Sequence, residues 1–346
     1  MTPRHFLGVD LPIIQAPMAG FQGSALAIAV SNAGGLGFLP CAVLTLEAIR
    51  NELLAIKAQT DKPFGINFFC HVQPAPDEQR EARWRETLTP YYDEFGIDAR
   101  GIAAGPGRAP FTAEAADVIE SFRPPFVSFH FGLPPDTLLR RVRGWGAKIF
   151  SSATTVDEAR WLEAHGVDAI IAQGLEAGGH RGHFLSDDIT AQLGTFALLP
   201  QIVRAVNVPV IAAGGIADAS GVAAAIKLGA ACVQVGTAYL LCPEATTSPV
   251  HRAALKGAAA EHTALTNLFT GRPARGIVNR LMRELGPISD LPPAFPLATS
   301  AIAPLRSKAE AQGSGDFSPL WSGQNTSGCK DVPAVQLTRE LAAVAR

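Results

Sequence analysis

Short apolar runs recur along this chain, separated by longer Ala-, Leu- and Glu-rich stretches with helical spacing. The runs at 12–17, 35–40, 64–69, 126–131, 147–152, 168–173, 209–213 and 232–236 read as buried strands. Between them, Leu44 to Ala58, Val156 to Ala164 and Gly221 to Leu228 carry helix patterns. Asp157 and Glu158 stand in the first turn of one of these, where acidic groups complement the dipole. Eight strands alternating with helices predict an α/β protein built as a closed (β/α)8 barrel of the TIM type, rather than an open doubly wound sheet. No GxGxxG follows the first strand, which counts further against a dinucleotide-binding sheet.

Two regions break the alternation. Residues 70–112 are long and rich in Pro and charge, and are expected to cover the barrel mouth after the third strand. Residues 245–300 combine a helical pattern with Pro-rich extended chain around Pro292, Pro293 and Pro296. They read as a smaller inserted cap or substrate domain, with 1–244 and 301–346 forming the barrel. The last segment returns to helical character after a Ser/Gly/Asn-rich loop at 313–328.

Composition narrows the function classes. Of 346 residues, 47% are apolar and 17% charged, which predicts a filled core and not a disordered chain. A net charge of −2 without a basic run excludes a polyanion-binding face, so no nucleic-acid partner is expected. Five cysteines without a CxxC pair predict reduced thiols and neither a disulfide framework nor a zinc site. With no apolar leader and no apolar stretch long enough for a bilayer, a cytoplasmic protein free of membrane contact is expected. It is expected to act as a monomer or homodimer on a small molecule.

The chemistry concentrates where strands run into glycine. Ala169 to Ala172 lead into Gln173, Gly174, Gly178, Gly179 and His180; Pro209 to Ala213 lead into Gly214 and Gly215; Cys232 to Val235 lead into Gly236 and Thr237. Glycine lets backbone take positive φ and approach a bound group closely. The last two loops occupy the positions where barrels of this type hold phosphate, and Asp218 and Ser220 open the helix that follows. Met18, in the exit of the first strand, can touch an aromatic cofactor through its sulfur. Asn67 and Gln173 are polar positions in apolar strands and need partners in the protein or in a ligand.

His180 is placed for proton transfer beside this loop, and His130 sits at the end of the fourth strand, where functional residues of barrels collect. His183 reads as solvated, and His5, His165, His251 and His262 read as surface residues. No carboxylate or thiol joins His130, His180 and His183 at ligand spacing, so no metal is expected.

Taken together, several segments resemble the nitronate monooxygenase family, and its class I branch in particular. They are Pro12-Ile-Ile-Gln-Ala-Pro-Met-Ala-Gly20, Ser31-Asn-Ala-Gly-Gly-Leu-Gly37, Phe64-Gly-Ile-Asn-Phe68, Val127-Ser-Phe-His-Phe-Gly132, Gly174-Leu-Glu-Ala-Gly-Gly-His-Arg-Gly182, Ala212-Ala-Gly-Gly215 and Val233-Gln-Val-Gly-Thr237. The resemblance implies an FMN-dependent barrel that oxidises an alkyl nitronate with O2 to an aldehyde or ketone plus nitrite. It implies that His180 is the active-site histidine and that His130 lies in the substrate pocket. It implies that Met18, Asn67, Gln173, Gly179, Ala213, Gly214, Gly215, Gln234, Gly236 and Thr237 contact FMN. Some class I members carry tyrosines and a lysine where this chain has Phe295, Thr299 and Ala303. That departure bears on substrate choice, for example on a nitronate that also bears a carboxylate, such as propionate 3-nitronate. Two other readings of the same loops remain: an FMN-dependent NAD(P)H:quinone or enoyl-thioester reductase, and a flavin-free isomerase or lyase acting on a phosphorylated substrate.

Overall fold

The structure is a computed structural model and describes residues 6–102 and 108–343. His5 and residues 103–107 of the long 70–112 stretch lie outside the described residues.

Eight parallel strands form one sheet: β1 (Ile13–Gln15), β2 (Gly37–Pro40), β3 (Phe64–Phe69), β4 (Phe126–His130), β5 (Lys148–Ala153), β6 (Ala169–Gln173), β8 (Val210–Ala213) and β9 (Cys232–Val235). Between β6 and β8 lies the two-residue strand β7 (Gly179–His180). The eight run β1-β9-β8-β6-β5-β4-β3-β2 around the sheet, the order of a barrel. Its seam lies between β1 and β2, where one bridge joins Ile14 to Leu36. There the Gln15 N–H donates to the Leu36 carbonyl at 3.0 Å, and the Phe38 N–H donates to Gln15 Oε1 at 3.1 Å. A glutamine side chain thus extends the closure that the short strands begin.

Period-two alternation explains both layers of the core. Phe64, Ile66 and Phe68 of β3, with Val127 and Phe129 of β4, point outward into the cluster packed under the helices. Phe38, Phe126, Phe150, Ile171 and Ile211 point inward and plug the lower lumen. Phe38 is paired in register with Gly65. A β-carbon at Gly65 would come within 2.3 Å of the Phe38 ring, so that glycine makes room for the plug. One step up each strand the inward positions turn polar: Asn67, Ser128, Ser152, Gln173 and Gln234. The mouth at the C-terminal ends of the strands is therefore the wet end of an otherwise apolar barrel.

Helices Leu46–Gln59, Val156–Ala164 and Ala219–Lys227 fall where the pattern predicts them, and Thr45, Thr155 and Asp218 cap their first N–H groups. The eighth barrel helix comes late in sequence: Ala334–Leu341 packs against Ser24–Asn32 and Ala219–Lys227. Before it, the chain builds a second apolar cluster over the mouth. Leu268, Phe269, Leu281, Met282 and Ala298 come from the stretch expected as a cap, and Ala301 follows directly after it. Trp84, Leu88, Tyr91 and Tyr92 of helix Glu78–Glu94 join them, as do Leu305, Ala309 and Phe317. A small antiparallel sheet, β10 (Thr263–Thr266), β11 (Ala274–Ile277) and β7, ties this layer to the barrel loop.

Candidate active site

One cavity opens at the C-terminal mouth, and all but one of the predicted site residues line it: Met18, Asn67, His130, Gln173, Gly178, Gly179, His180, Ala213, Gly214, Gly215, Gln234, Gly236 and Thr237. Gly174 does not line it. Its N–H donates to the Ala213 carbonyl, its own carbonyl accepts from Arg181, and a β-carbon there would strike the Thr195 hydroxyl at 1.9 Å. Chain packing fixes that glycine. Gly178 is similar, since a β-carbon would meet the Gly323 nitrogen at 2.5 Å. Gly236 differs: its φ is −116°, and its β-carbon would meet only Ala16 Cβ at 3.3 Å and Met18 Sδ at 3.8 Å.

The loops after β8 and β9 present unused donors. The N–H groups of Gly214, Gly215, Ile216, Gly236 and Thr237 have no hydrogen-bond partner among the described residues. Gly214 and Gly215 hold positive φ of 115° and 70°, which turns successive amides to one side. A late segment closes this corner: Gly323 N–H donates to Thr237 Oγ1 at 2.9 Å, and Asn325 Nδ2 donates to the Gly215 carbonyl at 3.1 Å. Two residues before Gly236 on β9, Gln234 keeps a buried Oε1 with no partner. Asn67 Nδ2, by contrast, already donates to Ser128 Oγ at 2.8 Å. Gln173 is spent on its own loop, with Nε2 donating to the His180 carbonyl and Oε1 accepting from the Gly182 N–H.

His180 stands in β7 amid an aromatic cage: Phe295 at 5.2 Å, Trp321 at 5.5 Å, Phe69 and Phe131 at 6.1 Å between ring centroids. Its Nε2 lies 2.9 Å from Thr270 Oγ1, and Nδ1 has no partner among the described residues. Burial, and then the charge of Arg108, push its pKa well below 6.5, so the ring is neutral near pH 7. His130 is braced at both nitrogens. Nε2 donates to the His180 carbonyl at 3.2 Å and Nδ1 accepts from Ser152 Oγ at 2.9 Å. Desolvation lowers its pKa to about 3. Phe131, the residue after it, holds φ of 70°, an uncommon conformation for an aromatic residue.

Two histidine expectations are corrected. His183 is not solvated: it is 2% exposed, with Arg272 donating to its carbonyl. His251 is not a surface residue: it is 1% exposed, donates from Nε2 to the Trp321 carbonyl, and packs edge-on against Phe21. His165 and His262 are exposed.

The structure adds residues that sequence reasoning missed. His71 is buried beside Phe295, with Nε2 donating to the Arg108 carbonyl at 2.9 Å. Arg108, Trp321, Gly323 and Asn325 line the cavity from loops that carry no local motif. Thr270 reaches His180 across 90 residues of sequence. Arg181, the neighbour of the expected histidine, is fully buried and donates to Gln192 Oε1 and to the carbonyls of Gln173 and Gly174. It locks the end of β6, a role that its Gly-rich surroundings do not announce.

A (β/α)8 barrel with unfilled amide donors after β8 and β9, an orphan glutamine oxygen and a caged neutral histidine defines the class: a barrel enzyme with its cavity at the C-terminal mouth. The nitronate monooxygenase family model matches residues 3–343. A nitronate monooxygenase of Pseudomonas aeruginosa is 41% identical over 99% of this chain and 98% of its own length. One from Paraburkholderia phytofirmans is also 41% identical, over 97% of this chain and 92% of its own length. The crystal structure of a nitroalkane oxidase from Streptomyces ansochromogenes superimposes with a TM-score of 0.89 at 37% identity, covering 99% of this chain and 97% of that one. FabK from Thermotoga maritima is less alike, at TM-score 0.69 and 26% identity over 99% and 94% of the two chains. The chain belongs to the nitronate monooxygenase family, and it is an oxidoreductase that oxidises nitronates.

Proposed function

We propose that the cavity holds FMN, and that the enzyme uses O2 to convert an alkyl nitronate to a carbonyl compound and nitrite. The observation that carries this reading is the set of free amides on Gly214, Gly215, Ile216, Gly236 and Thr237, which suits a phosphate dianion. The residues present fit the rest of the group. Gln234 Oε1 is an acceptor waiting for a ring N–H, and Met18 with Gly236 offers a flat wall of small or polarizable atoms. When bound, FMN supplies the electron-accepting chemistry that no side chain here provides.

The protein's own part is binding, orientation and one proton. The Thr270 hydroxyl lies 3.4 Å from the Arg272 carbonyl and can donate to it. It then accepts from His180 Nε2–H, which leaves the Nδ1 lone pair bare. That nitrogen takes the α-proton of a neutral nitroalkane. A nitronate lacks this proton, and for it the ring serves only to position. The layer built from 245–300, together with helix Glu78–Glu94 and helix Thr299–Ala311, acts as the cap that keeps water from the reacting atoms. Phe295 belongs to the cage around His180, whereas Ala303 is exposed. Among the described residues no helix is long and apolar enough to cross a membrane. The five unpaired cysteines support a reducing compartment such as the cytoplasm.

The test is the visible spectrum of the purified protein, followed by anaerobic titration with a nitronate and with NADH. A flavin spectrum that bleaches with the nitronate and not with NADH is expected. A colourless protein refutes the cofactor, and bleaching by NADH alone refutes the substrate.

A further inference from the structure

We propose that Arg108 is the residue that recognises the negative charge of the substrate; the inference rests on the nitronate reading above. Arg108 follows β3 on a loop whose backbone is pinned. Its carbonyl accepts from His71 Nε2 at 2.9 Å and from Gln73 Nε2 at 2.7 Å, and nearby the Phe111 N–H donates to the Phe69 carbonyl at 2.8 Å. The guanidinium lies 5.7 Å from the centre of the Phe295 ring and lines the same cavity as His180. Its Nη1 is buried without a hydrogen-bond partner, and among the described residues the charge that acts on it is that of Arg306, with no carboxylate beside it. Burial and the nearby Arg306 lower its pKa to about 10, so it is still a cation at neutral pH.

The neighbouring arginines show why Arg108 stands apart. Arg181 and Arg275 each give their donors to three acceptors of the protein. Arg272 lies 4.3 Å from the centre of the Phe131 ring, donates to the His183 carbonyl and does not line the cavity. Arg306 is paired with Glu310. Arg108 alone of these brings an unmet N–H to the cavity wall. A buried cation with an unused donor is costly, and an anion that enters the cavity relieves that cost. The nitronate group carries its charge on two oxygens, which a guanidinium fork matches. A neutral nitroalkane has the same outline without the charge and gains far less from the contact. Arg108 therefore makes the enzyme prefer the anion, from the side of the cavity opposite the free amides of the β8 and β9 loops.

The experiment uses the holoenzyme with Arg108→Met and Arg108→Lys. Wild-type turnover of ethylnitronate is measured first; its absence refutes the nitronate reading itself, independently of Arg108. Given that turnover, R108M should raise KM for ethylnitronate on the order of 10²-fold, the scale for removing one partner of a desolvated charge pair, with kcat changed by less than about threefold. KM for neutral nitroethane should stay within about twofold, and R108K should recover part of the lost affinity for the anion. A second readout needs no turnover: calorimetric titration with nitrate, a planar oxyanion, should weaken in R108M by a similar factor. Equal KM changes on both substrates, a loss confined to kcat, or unchanged nitrate binding would overturn the assignment.

Discussion

Lowering the pH from about 7.5 to about 5.5 should destabilise this protein far more than its carboxylates can explain. Five histidines are buried in neutral form. Desolvation is the first cause in each case, and it holds His71 and His251 at about 4, His130 and His183 at about 3, and His180 well below 6.5. The sign follows from proton linkage. Below the ordinary value of 6.5 the unfolded chain takes up a proton at each site while the folded chain does not, so stability is lost as pH falls through 6.5 and keeps falling towards the folded values. One unit below 6.5, each site has cost about 1.4 kcal/mol, and five sites together about 7 kcal/mol. That is comparable to the roughly 5–15 kcal/mol by which folded proteins are stable. Carboxylates held low by partners, such as Glu310, act only below their ordinary value of 4.5, so the window from 6.5 to 5.5 isolates the histidines. Urea unfolding followed by tryptophan fluorescence, at fixed FMN and several pH values, gives the slope. About 4.5 protons should be taken up on unfolding near pH 5.5, and about one fewer in His251→Gln, whose amide can still donate to the Trp321 carbonyl. A stability loss under about 2 kcal/mol across this range would refute the account of five neutral histidines.

Three substitutions address the cavity directly. Gly236→Val should fold, because φ there is ordinary and the nearest atom to a new β-carbon is Ala16 Cβ at 3.3 Å, yet yield protein with little bound FMN; full flavin content would refute the phosphate corner. Gly214→Val is its contrast: positive φ of 115° and the Thr195 hydroxyl at 2.8 Å should lower the melting temperature as well, as differential scanning fluorimetry will show. His180→Asn should lose activity on neutral nitroalkanes by roughly 10²–10⁴-fold and on preformed nitronates much less, with flavin content unchanged. Equal losses in the two assays would make His180 a positioning group only.

The barrel was legible because its signals are local. A strand such as Phe64–Phe69 carries its inward and outward positions in its own alternation, and the glycines that follow β6, β8 and β9 lie within a few residues of the strands that aim them. Even there the reason for a glycine was not legible. Gly174 and Gly178 are small because Thr195 and Gly323 press on them, and Gly323 arrives from 145 positions downstream of Gly178.

The opposite wall of the cavity has no such local grammar. His180 is caged by Phe295 and Trp321 and bonded to Thr270, and β7 exists only because β11 pairs with it. His183 and His251 carry no local sign of burial in sequence, because the groups that bury them, Arg272 and Trp321, come from chain 70 or more residues away. Arg108 gave no signal for the same reason: an arginine between prolines and glycines reads as solvated until the Phe295 ring is laid against it. The division has a functional logic. The wall made by local strand–loop units offers backbone amides, which depend little on side-chain identity and suit a common phosphate. The wall made by long-range packing offers side chains, and there Phe295 and Arg108 can change what the cavity accepts without disturbing the barrel.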